Sequence, residues 1–176
     1  MLKIGITGGI GSGKTTVCRL FKAFGIPVYD ADSRAKALMA TNEGLKMEIV
    51  RAFGAASYLA DGSLNRIHLS ELVFKNSEKL QVLNSLVHPV VAQDALDWHV
   101  VQQNAPYTLR EAALLIESGS YRQLDYLVLV TAPLELRLER VMQRDSTTAA
   151  EVQARIAKQL SDDEKRPFAQ DRKSVV

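Results

Sequence analysis

An α/β fold with a parallel sheet covered by helices is predicted by three features of the chain. Residues 2–7, Leu-Lys-Ile-Gly-Ile-Thr, have the alternation of a short strand and run straight into a glycine-rich stretch, Gly8-Gly9-Ile10-Gly11-Ser12-Gly13. Tyr126-Leu127-Val128-Leu129-Val130-Thr131 is a continuous apolar run of the kind found in central parallel strands. Strand-like and helix-like segments alternate through much of the chain, which implies a parallel sheet with helices on both faces.

The elements follow in order. Val17, Leu20, Phe21 and Phe24 are spaced i, i+3, i+4, i+7 and predict a helix closed by Gly25, a residue suited to the left-handed C′ position. Ile26-Pro27-Val28-Tyr29 predicts a second strand ending at Asp30-Ala31-Asp32. A helix through Ala37-Leu38-Met39 is interrupted at Asn42-Glu43-Gly44 and followed by another over 45–53. Ala60-Asp61-Gly62-Ser63 is a turn, and 65–103 is helical throughout. There His88-Pro89 predicts a break, with Pro89 opening the next helix, where its missing N–H costs little. Tyr107-Thr108-Leu109-Arg110-Glu111-Ala112 predicts a strand, and residues 113–118 a loop or short helix. Leu134, Leu138, Val141 and Met142 form one helical face, and Thr148-Ala149-Ala150-Glu151 is a capping box opening a helix through Leu160. The helical stretch from about 60 to 104 reads as an insertion in a single domain.

Composition narrows the function. The 176 residues suit one α/β domain, and 47% apolar residues supply a core. A net charge of +2, from 22 basic and 20 acidic side chains, is too balanced to point to nucleic acid or an anionic membrane. No apolar run approaches the ~18 residues of a membrane span, and no leader segment precedes the first strand. The single cysteine, Cys18, reads as a small core residue in a cytoplasmic protein. His68, His88 and His99 have no metal-ligand spacing.

Gly8 to Thr15 reads G-x-x-x-x-G-K-[ST], the phosphate-binding P-loop, in the strand–loop–helix context the motif requires. Glycines let successive N–H groups point into one concavity, and the helix N-terminus adds donors and a positive dipole end. Gly11, Ser12, Gly13, Lys14, Thr15 and Thr16 are therefore expected to bind ATP. Lys14 is placed on the β- and γ-phosphates, and the Thr15 hydroxyl on Mg²⁺ arriving with the nucleotide.

A P-loop serves switch GTPases, motor ATPases and small-molecule kinases alike. No N-K-x-D or T-K-x-D guanine-reading motif occurs, and no strand ends in an apolar run followed by Asp. Asp30 and Asp32 lie at the C-terminal end of the second strand, the edge where open α/β sheets bind ligands. Asp32 there reads equally as a helix N-cap or as a base for an attacking hydroxyl. Arg137, Arg140 and Arg144 sit on one helix, and Asp145-Ser146-Thr147 separates it from the next. Helix, short polar break, helix is how a mobile lid is built, although Arg140 and Arg144 also read as a solvated face paired with Glu139 and Asp145.

Over nearly its whole length the chain resembles the dephospho-CoA kinases. The resemblance is carried by Thr7–Thr16, Asp30-Ala31-Asp32, Asp61-Gly62 with Asn65-Arg66, Leu83-Asn84 with His88-Pro89, Leu114-Leu115-Ile116-Glu117, and Gln143-Arg144-Asp145. It implies transfer of phosphate from ATP to the ribose 3′-hydroxyl of 3′-dephospho-CoA. It also implies a P-loop kinase core, a helical CoA-binding region over about 60–104 and a lid over about 140–160. By the same resemblance Asp32 is the base, Arg140 and Arg144 are lid arginines, and Arg66, His88 and Glu117 belong to the acceptor region. Other small-molecule P-loop kinases, of the nucleoside monophosphate or shikimate type, lack the Asp-Ala-Asp and His-Pro elements. A third reading is a nucleotide-binding protein without transferase activity. Two departures are visible. Ala113 stands where the family often has proline. After Arg166 the family usually adds a strand, an Asn-x-Gly turn near adenine and a last helix; the ending Phe168–Val176 predicts that this fifth strand and helix are missing, leaving 126–131 as a sheet edge.

Overall fold

The computed structural model describes residues 1–74, 76–103, 105–169 and 171–174. The chain divides into two compact units, Met1–Asp30 with Trp98–Val176, and Ala31–Asp97.

The first unit is built on strand β1 (Leu2–Thr7), which pairs in parallel with β3 (Tyr107–Glu111) on one side and β4 (Tyr126–Thr131) on the other. Strand β2 (Val28–Asp30) pairs with β3, giving the four parallel strands the sequence predicts. In register, Ile4 stands opposite both Leu109 and Tyr126, and Ile6 opposite Glu111 and Val128. The alternation read in residues 2–7 does not carry into burial: Gly5, Ile6 and Thr7 are all buried, because a central parallel strand is covered on both faces. Helix α1 (Lys14–Ala23) lies over this sheet, and Ile6, Cys18, Leu109 and Val130 form a core against which Val17, Phe21 and Val128 pack.

The predicted face of α1 is half right. Lys14, Val17, Cys18 and Phe21 turn inward, whereas Leu20 and Phe24 are 59% and 80% exposed. A stripe drawn through every apolar residue misses the angle at which the helix meets the sheet, which is centred between Val17 and Cys18. Gly25 closes the helix as predicted, at φ 79°, with its N–H on the Lys22 carbonyl.

The expectation of a missing fifth strand is corrected. Residues Asp171–Ser174 form β5, parallel to β4, with Val128 opposite Asp171 and Thr131 opposite Ser174. The sheet order is β2-β3-β1-β4-β5, so β4 is not an edge. Strand pairing uses backbone donors and acceptors, so a polar segment without an apolar signature can cover an open edge. No helix follows β5 among the described residues.

The second unit holds α2 (Ala31–Thr41), α3 (Glu43–Phe53), α4 (Arg66–Phe74) and most of α5 (Ser77–Val100). Asn42, read as an interruption, caps α3: its side chain accepts from the Leu45 N–H. The predicted turn is closed by Asp61, which accepts from the Ser63 N–H at 2.9 Å and hydroxyl at 2.7 Å. The predicted break at His88-Pro89 does not occur, and α5 runs through Pro89. An interior proline forfeits one ladder bond and costs about 3 kcal/mol. Val87, Val91 and Ala95, four apart and all buried, hold the helix against the core on both sides of it. Arg34 spans α2 to α5 in a two-bond contact with Asp94 at 2.6 and 2.9 Å. No helix among the described residues is long and apolar enough to cross a membrane.

Burial, with the Glu111 carboxylate nearby, pushes the Cys18 thiol up to about 12 from 9.0. The folded chain is therefore expected to be inert to a thiol reagent at pH 8.5 and to react at once when unfolded. The sign is fixed by linkage: the thiol of the unfolded chain ionises above about 8.5 while the folded one does not, so stability should fall as pH rises past that value. Rapid labelling of the folded chain would contradict the buried placement.

Candidate active site

The site grows from the end of β1. Thr7 is followed by the loop Gly8–Gly13, and α1 begins at Lys14. Gly13 is the N-cap of α1 at φ 98°, a conformation that side chains disfavour, and no side chain caps the helix. The N–H groups of the first turn and the positive dipole end thus converge at the loop, the arrangement that binds anions. Two of the predicted amides close the loop upon itself: Ser12 N–H donates to the Gly9 carbonyl at 3.2 Å and Thr16 N–H to the Gly13 carbonyl at 3.0 Å. Ser12 is fully buried and its hydroxyl has no hydrogen-bond partner among the described residues. Lys14 is 9% exposed and its Nζ donates to the carbonyls of Gly8 at 2.9 Å and Gly9 at 3.2 Å. The cation is held against the loop it is meant to serve.

The Thr15 hydroxyl donates to Glu111 Oε1 at 2.9 Å. Glu111 ends β3, next to β1, and is buried. Sequence reading missed it because it sought an unbroken apolar run followed by Asp. Strand β3 reads Tyr-Thr-Leu-Arg-Glu, and the internal Arg110 hides the pattern. The available signal was the position itself, a carboxylate closing a strand that neighbours the P-loop strand.

Helix α6 (Leu134–Asp145) presses on the loop from the other side. Buried Arg137 donates from Nε to the Ile10 carbonyl at 2.9 Å, and Arg140 reaches the Gly11 carbonyl at 3.5 Å. Arg144, at the end of α6, grips Asp145 through Nε at 2.7 Å and Nη2 at 3.1 Å, and Arg155 of α7 (Ala149–Ile156) binds the same carboxylate at 2.9 Å. Hydrogen bonding from Arg144 holds Asp145 below the usual carboxylate range. The break between α6 and α7 is where predicted: Ser146 is left-handed at φ 50°, and Thr148 with Glu151 forms the full capping box. Hydrogen bonds from Thr147 and Thr148 lower Glu151 to about 2. Helix α7 is shorter than expected, ending at Ile156 rather than Leu160.

Glu117 accepts from Lys165 Nζ at 2.9 Å and from the Leu160 N–H at 3.0 Å. Lys165, at the end of α8 (Asp162–Lys165), is fully buried and also donates to the Ala113 carbonyl at 3.3 Å. In the second unit, Asp32 lies in the first turn of α2, which starts at Ala31. It is inside the helix and is not its N-cap. Arg66 is the exposed first residue of α4, and half-buried His88 precedes Pro89 in α5.

Residues 2–172 match the family model for dephospho-CoA kinase. The chain belongs to the dephospho-CoA kinase family. The dephospho-CoA kinase of Salinibacter ruber is 42% identical over 171 residues, covering 96% of this chain and 86% of its own. A Thermus thermophilus crystal structure superposes with a TM-score of 0.85 at 38% identity, over 99% of this chain and 88% of that one. The dephospho-CoA kinase of Campylobacter jejuni gives 0.71 at 26% identity, over the same shares. A shikimate kinase from Acinetobacter baumannii, at 19% identity and a TM-score of 0.56 over 100% of this chain and 84% of that one, shares the fold.

Lys165 is fully buried whereas Glu117 reaches solvent, so the costly break is the one that leaves the lysine without its carboxylate. Glu117→Gln should lower the unfolding free energy by about 3 kcal/mol, measured by urea titration. A loss below about 1 kcal/mol would place the pair among ordinary surface contacts.

Proposed function

We propose that this chain transfers the γ-phosphoryl group of ATP to the ribose 3′-hydroxyl of 3′-dephospho-CoA, giving CoA and ADP, the final step of CoA biosynthesis. One observation carries the reading: a P-loop at the end of the central strand, with Thr15 joined to a buried strand-end carboxylate, in a chain of this family over residues 2–172.

The loop amides between Gly11 and Thr15 at the start of α1 receive the phosphates, the Ser12 and Thr16 N–H groups being engaged within the loop, and the Lys14 ammonium offsets the charge on the β- and γ-phosphates. Asp32 accepts the proton of the 3′-hydroxyl as that oxygen bonds to phosphorus and the bond to the β-phosphate oxygen breaks, releasing ADP. Arg140 and Arg144 stabilise charge on the transferring group from the lid, so Arg144 must loosen its hold on Asp145 to act. Arg66, His88 and Glu117 serve the acceptor, with the Glu117 carboxylate anchored by Lys165.

The Thr15 hydroxyl and Glu111 carboxylate form an all-oxygen pair that fits Mg²⁺. No cluster of three or more His, Cys, Asp or Glu side chains able to hold a metal occurs among the described residues, so the nucleotide and water would supply the other ligands. When bound, the ion neutralises phosphate charge. The substrates are small molecules, with neither nucleic acid nor membrane as partner, and the single buried Cys18 fits a reducing cytoplasm.

ADP release coupled to a colour readout should require dephospho-CoA and fail with shikimate or without an acceptor. Equal release under all three conditions would overturn the assignment. Lys14→Ala should abolish transfer without unfolding the chain. Asp32→Asn keeps the size of the side chain and should lower kcat about 10²–10⁴-fold with ATP affinity unchanged, the signature of a lost base. An unaltered kcat would move the base elsewhere.

A further inference from the structure

Ile10 lies within the P-loop, and side chains from far along the sequence hold both polar groups of its backbone. Its N–H donates to Gln159 Oε1 at 2.9 Å, and its carbonyl accepts from Arg137 Nε at 2.9 Å. The Arg137 guanidinium also fills the space that a Cβ on Gly9 would need. The transfer chemistry described above gives Gln159 no role.

Gln159 does not sit on a loose tail. It follows the end of α7 by three residues, and its own N–H donates to the Ile156 carbonyl at 3.0 Å. The next residue, Leu160, gives its N–H to Glu117, and Glu117 is tied to buried Lys165. A rigid support therefore lies behind the amide oxygen that meets Ile10.

We propose that Gln159 is a positioning residue for the phosphate loop, fixing the Ile10 peptide so that the following N–H groups face the triphosphate. The proposal rests on the reading of the P-loop as the ATP site. Two physical points favour it. Both polar groups of the Ile10 backbone are held from outside the loop, so the loop cannot flip that peptide without giving up the Gln159 acceptor and the Arg137 donor. The acceptor is a neutral amide, which fixes the loop without adding negative charge beside a ligand of several negative charges. Gln159 is placed where the C-terminal root of the 140–160 segment meets the loop, so it also joins the proposed lid to the site it covers.

Ile10 is half-buried, so its N–H can turn to water when the acceptor is lost, and the loss falls on the ordering of the loop around the triphosphate; a tenfold loss of affinity, equal to about 1.4 kcal/mol, is the expected scale. Gln159→Met keeps length and volume but removes the acceptor; Gln159→Glu keeps an acceptor oxygen. The readouts are hydrogen exchange at the Ile10 amide, ATP affinity by titration, KM for each substrate, and the melting temperature. Gln159→Met should speed Ile10 exchange, weaken ATP binding and raise its KM about tenfold, with the dephospho-CoA KM and melting temperature unchanged. Gln159→Glu should keep the Ile10 amide protected. Unchanged Ile10 exchange and ATP affinity in Gln159→Met would overturn the proposal. So would a rise in both KM values with a lowered melting temperature, which marks a structural role, or loss of Ile10 protection in Gln159→Glu. A wild type that transfers no phosphate would count against the proposed function alone, because Ile10 exchange and nucleotide titration still decide the role of Gln159.

Discussion

The rest of the site depends on the close approach between the glycine loop and helix α6. A Cβ on Gly11 would stand 2.6 Å from the Arg137 carbonyl and 3.0 Å from its Cα, and one on Gly8 would strike the Val130 carbonyl at the end of β4. Backbone meets backbone on this side of the loop. That contact explains why glycine recurs there beyond the demands of phosphate binding. It also sets Arg137, buried and bonded to the Ile10 carbonyl, directly against the loop. The loop is thus shaped from β1 before it, α1 after it and α6 beside it. Preorganised donors of this kind act without reorganising during the reaction, which is where most of their catalytic worth lies.

Two carboxylates show how the same chemistry is put to different uses. Glu111 sits at the end of β3 with the Thr15 hydroxyl on it, close to where a cation and phosphates would meet. Glu117, six residues further on, binds Lys165 and the Leu160 N–H and so fastens the segment that follows α7. The turn between them joins the phosphate side of the site to the root of the proposed lid. Within that lid, Asp145 holds Arg144 and Arg155 together, and a positive-φ serine marks the joint between its two helices.

Much of this was legible in the sequence, and the parts that were not share a cause. The strand–loop–helix of residues 2–24, the closing Gly25, the capping box at Thr148 and the buried run at 126–131 are local signals, each written within a few neighbouring residues. Glu111 on Thr15, Gln159 on Ile10 and Lys165 on Glu117 join positions 96, 149 and 48 apart, and no pattern of spacing encodes such pairs. Pro89 misled because a local helix breaker was overruled by tertiary packing through Val87, Val91 and Ala95. The face of α1 was misjudged for a related reason: the sheet, not the apolar count, sets which side of a helix is buried. Strand β5 was missed because Asp-Arg-Lys-Ser carries no apolar alternation, and its pairing to β4 needs none.

A preformed phosphate loop that delivers the γ-phosphoryl group to one hydroxyl of one acceptor leaves a definite set of products. Phosphorus NMR of the mixture formed from ATP and dephospho-CoA reads them, because it reports where the phosphate goes as well as whether ATP is consumed. ADP and a single new phosphomonoester on the ribose 3′-oxygen should appear in equal amounts. ADP accompanied by inorganic phosphate, or a phosphate on any other position of the acceptor, would contradict the proposed transfer.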